Sequence, residues 1–319
     1  MNKNKILIFI ILFLIPISVI SFLVKSKLKT NINVSKPKET KFTVIDNEPE
    51  PENLNSKITI NVLVNNEKTT MNLEEYLVGV LAGEMPASFE MEALKAQAVA
   101  ARSYAVYKIE HSTGNYDVID TINDQVYLTK EKMQQNWQEK YDENYKKIYS
   151  AVAATQSQVL KQNNEVIKAF FFSMSNGYTE DSVQVFKEGN IKSVESKWEE
   201  TAKNFIVTKD FKEEEIKEKL GISDKILNIE ILKRSNTNRV EKIKVNDKIF
   251  TGIEFRKLLQ LRSTDFTIEK NNDCYQITTK GNGHGVGMSQ YGANGMAEEG
   301  KTYQEILKYY YNDVEITKL

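Results

Sequence analysis

The chain has 319 residues, with 43 Lys+Arg against 44 Asp+Glu and a formal net charge of −1. That balance gives no sign of a nucleic-acid partner, since phosphate backbones select strongly basic surfaces. The single cysteine, Cys274, forms no internal disulfide. It and the two histidines, His111 and His284, belong to no paired motif such as CxxC or HExxH, so no Cys/His zinc site or other cofactor is expected.

Residues 1–5 are a short polar start. Residues 6–24 are apolar except for Ser18 and Ser21, just long enough to cross a bilayer core. A cleaved signal peptide is the rival reading. No Ala-x-Ala-like site follows, however, and the apolar run exceeds a usual h-region, so an uncleaved anchor is expected. Lys3 and Lys5 on one side face Lys25, Lys27 and Lys29 on the other, so the positive-inside rule leaves the orientation open. Residues 25–56 are polar, rich in Lys, Asn, Pro and Glu, and read as a tether. A single folded domain is expected over residues 57–319.

KITINVLVNNEKTTMN alternates around Asn65-Asn66 and predicts a hairpin. Asn72 with Glu75 opens a helix whose apolar series is Leu73, Leu77, Val80 and Leu81, and Gly83 and Pro86 are expected to end it. A second helix is expected from Ser88, carrying Ala93, Ala96, Ala98, Ala100, Ala101 and Ala105. Alanine on nearly every face means close packing among neighbours. Its polar stripe is Glu92, Lys95 and Arg102. A helix follows over Tyr145 to Thr155, then a hairpin around Asn163-Asn164, then a charged helix from Phe211 to Leu220 stopped by Gly221. NIEILKRSNTNRVEKIKV predicts two strands. Thr251 with Glu254, and Thr302 with Glu305, are capping boxes, and a last strand is expected near Val314 to Ile316. The sum is an α+β fold with hairpins and an Ala-rich central helix.

GNGHGVGMSQYGANGMAEEG begins at Gly281. It is not GxGxxG in register, because Val286 stands where the third glycine belongs, and no Gly-Lys-Ser/Thr follows, so a nucleotide site is not expected. What remains is a glycine loop presenting His284, then a helix from near Ser289 with Gln290 and Tyr291 in its first turn. Neutral His, Gln and Tyr supply donors and acceptors suited to sugar hydroxyls and amides.

Taken together, NLEEYLVGVLAGEMP with EALKAQAVAARSYA, then FFSMSNGYTEDS, then GNGHGVGMSQYGA resemble the stage II sporulation protein D family. The resemblance spans about Lys57 to Tyr311. It implies a membrane-anchored lytic transglycosylase that cleaves between N-acetylmuramic acid and N-acetylglucosamine of peptidoglycan, preferring strands stripped of stem peptides. It implies work beside stage II sporulation proteins P, an amidase, and M, a membrane scaffold, during forespore engulfment. The domain would lie outside the mother-cell cytoplasm, on the membrane at the sporulation septum. The family's catalytic glutamate falls on Glu84 and its AQAVAAR arginine on Arg102, expected to hold a substrate acetamido or lactyl carboxylate group or to steady ionised Glu84, the alternative being a buried salt bridge with Glu92. His284, Ser289 and Gln290 fall on substrate contacts. Lys95, Ser175, Tyr178 and Tyr291 lie within the same motifs and join them as candidate contacts, Tyr178 as a ring to stack on a sugar. The family's Ser-Gly-Gly-type turn appears here as Ser175-Asn176-Gly177, and Asn176 is expected to take positive φ.

The chemistry can be set beside the resemblance. A glycoside hydrolase normally needs two carboxylates, whereas a lytic transglycosylase needs one. Glu84, flanked by Leu81, Ala82, Gly83, Met85 and Pro86 at a helix end, is placed for a raised pKa. Glu180 and Asp181 are the best candidates for a second carboxylate. Two other readings stay open: a hydrolytic muramidase using such a second acid, and a glycan-binding amidase-enhancer module that cleaves nothing.

Overall fold

A computed structural model describes residues 54, 56–272 and 274–319, so the expected anchor and nearly all of the tether lie outside the described residues. Among the described residues no helix is long and apolar enough to cross a membrane. The architecture is mixed α+β.

Strands β1 (Thr59–Val64) and β2 (Glu67–Asn72) pair antiparallel, with Val64 opposite Glu67, and β3 (Val118–Ile119) runs parallel to β1 on its other side. Asn65 and Asn66 turn between them at φ 49° and 68°, the left-handed pair that a two-residue hairpin demands. The Asn72 side chain then accepts from the Glu74 and Glu75 N–H groups and starts helix α1 (Leu73–Glu84). Gly83 does not end this helix, as the sequence suggests. It lies inside it, and α1 runs on to Glu84 before Met85 turns extended. Its smallness serves packing. A Cβ on Gly83 would sit 2.7 Å from the Val126 carbonyl oxygen, and one on Gly79 2.2 Å from the Tyr127 ring. Two glycines one helical turn apart thus let the segment 125–128 lie flat against α1.

Helix α2 (Met91–His111) starts later than Ser88, because Pro86 to Phe89 close a turn of their own, Phe89 N–H to Pro86 carbonyl at 3.0 Å. The six alanines named above are fully buried. Helix α3 (Lys130–Trp137) has too few apolar residues to be read in advance, and α4 (Tyr141–Ala154) begins earlier than expected. Strands β4 (Gln158–Gln162) and β5 (Glu165–Val166) make the expected hairpin, with Asn163 and Asn164 at positive φ. Around α2 pack α1, α4, β4 and two late helices, α8 (Gln290–Glu298) and α9 (Tyr303–Tyr310). The late strand β14 (Glu315–Lys318) borders β4.

Strand β6 (Phe171–Phe172) runs parallel to β13 (Met288–Ser289), so the middle and C-terminal motifs are neighbours in one sheet. Between them comes a short helix α5 (Ser182–Phe186) and then a lobe with a hydrophobic cluster of its own, built on Phe211, Ile216, Ile243, Phe255, Phe266 and Ile277. The lobe holds β7 (Ile206–Lys212), α6 (Glu213–Leu220), β8 (Ile229–Arg234), β9 (Val240–Val245), β10 (Lys248–Thr251), α7 (Gly252–Leu259), β11 (Phe266–Asn271) and β12 (Cys274–Lys280). Its sheets run β10-β9-β8 and β11-β12-β7. Phe211 belongs to a strand rather than to the charged helix, which starts at Glu213. Both capping boxes, Thr251 with Glu254 and Thr302 with Glu305, are formed.

Candidate active site

Glu84 closes α1 with its side chain partly exposed. Its Oε1 accepts from the Val126 backbone N–H at 2.7 Å, and its Oε2 accepts from Gln290 Nε2 at 3.2 Å. The Val126 donor is held by the segment around it. Tyr76 Oη donates to Gln125 Oε1, Gln125 Nε2 donates to the Ala101 carbonyl, and Leu128 N–H donates to the Gly79 carbonyl. Gln290, 4% exposed, is the first residue of α8, and the preceding Ser289 caps that helix by accepting from Gly292 N–H at 3.2 Å. Burial pushes the Glu84 carboxyl above the usual carboxylate range, and the two donors only partly offset this.

The other sequence candidates occupy varied places. Arg102 is 0% exposed and does not face a cleft. Nε and Nη2 make paired bonds to Glu74 at 2.9 and 2.7 Å, and Nη1 donates to the Gln158 carbonyl at 3.1 Å. Arg102 therefore ties α1, α2 and β4 together from inside, which corrects its reading as a substrate contact. Its partner is Glu74, not Glu92, which is paired with Lys95 at 2.7 Å and caps α9 at Tyr303 N–H. Ser175 is fully buried, and its Oγ donates to the Ser196 carbonyl and accepts from Gly177 N–H. Positive φ falls on Gly177 at 113°, not on Asn176. Asn176 Nδ2 instead donates to the Thr237 carbonyl and Asp265 Oδ2, anchoring the lobe. Tyr291 packs edge-on against Phe89, with ring centroids 5.0 Å apart. Tyr178 is 48% exposed and open to a ligand ring.

Ser289 Oγ also donates to Glu199, a fully buried acid that accepts from Ser196 Oγ at 2.8 Å. Ser196 is in turn bonded to Tyr310 Oη. Gly292 makes room for this hub, since a Cβ there would lie 2.1 Å from Tyr310 Oη. Ser289 is thus a structural member of a buried polar network, which corrects its reading as a substrate contact. Sequence reasoning missed Glu199, Glu74 and the Val126 amide. The two acids sit in ordinary polar surroundings in the sequence, and a backbone donor has no side-chain signature.

His284 lies among the rings of Phe170, Phe172 and Phe186 at 6.1, 5.6 and 5.1 Å. Its Nδ1 accepts from Val286 N–H at 3.1 Å. Burial, and next the Arg256 charge, push the ring down to about 3, so it is neutral at physiological pH. It borders a cavity of about 1150 Å³ together with Glu180, Phe186, Arg239 and Arg256. Glu84 is not in the wall of that cavity. His284 and Glu84 therefore do not share this cavity. Burial pushes the Glu180 carboxyl up to about 7 against the opposing pull of Arg239.

Comparison with known proteins follows the same motifs. A family described as stage II sporulation protein matches residues 65–161, and a domain of unknown function matches residues 124–287. The chain is 43% identical over 256 residues to stage II sporulation protein D of Bacillus subtilis (strain 168), covering 77% of this chain and 74% of that protein. It is 41% identical over 265 residues to the protein of that name from Bacillus amyloliquefaciens, covering 80% and 76%. Similarity also extends to the amidase enhancer of Bacillus subtilis (strain 168), 32% identical over 306 residues, 76% of this chain and 40% of the enhancer.

Proposed function

The chain belongs to the stage II sporulation protein D family, and on that premise we propose that it is a lytic transglycosylase that cleaves the MurNAc–GlcNAc bond of peptidoglycan strands free of stem peptides. The observation that carries this reading is the Glu84 carboxyl, desolvated at the end of α1 yet held in place by two fixed donors. The short bond from Val126 makes Oε1 the carbonyl-like oxygen. Oε2, with the longer bond, carries the proton and gives it to the glycosidic oxygen as the C1–O bond breaks. The resulting carboxylate then takes the proton of the C6 hydroxyl of the same muramic acid. The C6 oxygen closes onto C1, and a 1,6-anhydro sugar leaves with Glu84 reprotonated. The two donors steady the charge that appears midway, as fixed dipoles do best in a site with little water.

Among the described residues no other carboxylate bonds to the groups that hold Glu84, which favours the one-acid mechanism over a hydrolytic muramidase. The likeness to an amidase enhancer favours a binding module instead, one that holds glycan and stimulates an amidase. We place the activity in sporulation, on the outer face of the mother-cell membrane at the septum, beside stage II sporulation proteins P and M. Mass spectrometry of products from purified peptide-free glycan separates the readings. Anhydro ends, one water lighter than hydrolytic ends, are expected. Hydrolytic ends would establish a muramidase, and intact but retained glycan a binding module.

Gln290 gives a further check. Gln290→Ala removes a donor that favours the ionised carboxyl, so it should raise the Glu84 pKa further. Activity that needs the acid form falls as pH rises through that pKa. The alkaline limb of the kcat/KM profile is therefore expected to move to higher pH, with a roughly tenfold or greater loss of kcat from poorer positioning. An unmoved limb would show that Gln290 does not act on Glu84.

A further inference from the structure

The cavity of about 1150 Å³ is bounded on one side by the glycine loop and α5, and on the other by β8, β9 and the start of α7. It exceeds the roughly 300–1,000 Å³ of ordinary small-ligand pockets. Most charges along its wall are already matched: Lys108 pairs with Asp124 at 2.9 Å, Lys168 with Glu188 at 2.7 Å, and Lys233 with Glu241 at 2.5 Å. Arg239 faces Glu180, which also lines the wall, and Arg256 has no acid partner among the described residues.

Arg239 is 3% exposed, and among the described residues its Nε and Nη1 have no hydrogen-bond partner. Nη2 reaches Asn176 Oδ1 only at 3.4 Å, and Glu180 Oε1 stands 3.4 Å from Nε while also accepting from Thr237 Oγ1. Arg256, in α7, donates from Nε to the Leu261 carbonyl at 3.3 Å, and among the described residues no acid pairs with it. Burial, and next the Arg239 charge, hold Arg256 down to about 10. Two guanidinium groups that repel each other in a desolvated wall leave an anion-shaped gap in the electrostatics. The glycine loop is cut to fit one of them. Gly285, at φ 89°, would put a Cβ 2.8 Å from Arg239 Cζ, so any side chain there would displace the guanidinium.

We propose that this cavity binds a carboxylate of the cell-wall glycan, received by Arg239 and Arg256 beside the glycine loop, apart from the reacting centre at Glu84. A guanidinium fork matches the two oxygens of a carboxylate or a phosphate, and of these the peptidoglycan strand carries carboxylates. The choice of glycan rests on the function proposed above. Two sources carry this group: the lactyl ether of muramic acid once the stem peptide is gone, and the ends of the stem peptide itself.

The test is equilibrium binding to the full-length protein carrying Glu84→Gln, so that cleavage plays no part and a failure of the transglycosylase reading leaves the result intact. The probes are a peptide-free muramic-acid tetrasaccharide, the same tetrasaccharide with stem peptides, and chitotetraose, which has no carboxylate. At least one carboxylate-bearing probe is expected to bind about tenfold more tightly than chitotetraose. Arg256→Gln should erase that advantage and leave chitotetraose binding unchanged. The probe that shows the advantage identifies the source. Equal binding of all three probes overturns the proposal and needs no variant. So does an equal loss for all probes in Arg256→Gln. Should Arg256→Gln fail to melt cooperatively, Arg239→Lys, which keeps the charge and loses the fork, must reduce the advantage on its own.

Discussion

Glu84→Gln is expected to reduce release of 1,6-anhydro product from peptide-free glycan on the order of 10³-fold or more, the scale of a lost general acid that must also serve as base. The substitution keeps the shape of the side chain and an oxygen for the Val126 N–H at 2.7 Å. It also removes a carboxyl that burial has pushed upward. A raised folded-state pKa contributes stability below the unfolded value, and that contribution is lost as pH rises through the folded value. At neutral pH the natural protein therefore carries a desolvation cost that Gln does not. The melting temperature of the variant should equal or exceed that of the natural protein at pH 7, and the two should converge near pH 4. Lost activity with unchanged or improved stability is the signature of a catalytic role. Full activity in the variant would remove Glu84 from the chemistry, and a large drop in melting temperature would make its role structural.

The second large effect concerns Arg102. Arg102→Met leaves the Glu74 carboxylate buried at 1% exposure with only the Ser157 N–H, at 3.1 Å, and its cap position to satisfy it. Breaking a buried pair from one side typically costs about 3–5 kcal/mol, a large part of the roughly 5–15 kcal/mol that holds a domain folded. A fall in melting temperature of about 10 °C is expected. Glu74→Leu combined with Arg102→Met should recover much of that loss, because hydrophobic replacement of both partners removes the unpaired charge. Activity per folded molecule, measured well below the melting transition, should stay near that of the natural protein. If Arg102→Met melts normally but does not cleave, the arginine acts in the site rather than in the core.

The contrast between Glu84 and Arg102 shows what can be read along the chain. Both stand in the motifs that carry the family resemblance, and both look like site residues there. Glu84 is legible because its surroundings are local: apolar neighbours, a helix end, a proline two residues on. Arg102 is not, since its partner depends on how α1 crosses α2, and in sequence Glu92 on the same helix looks nearer. Ser289 was legible as a helix start, but its second bond, to Glu199, was not. The lobe from β7 to β12 was seen only in pieces. β8 and β9 alternate cleanly, whereas β11 and β12 do so around residues too polar to stand out.

The sequence by itself determined the turns and caps. Asn65-Asn66 and Asn163-Asn164 take positive φ, and Asn72 and the two Thr-x-x-Glu boxes start helices. Each of these rests on bonds spanning four residues or fewer, so the local chain suffices. Only the tertiary structure decided which polar groups meet: Gln290 with Glu84 across 206 positions, Arg102 with Glu74, and Arg239 beneath Gly285. Desolvation and pairing are set by what packs around a group rather than by what precedes it in the chain. The same type of residue is thereby a buried brace at Arg102 and, at Arg256, a cation beside a cavity with no acid partner among the described residues.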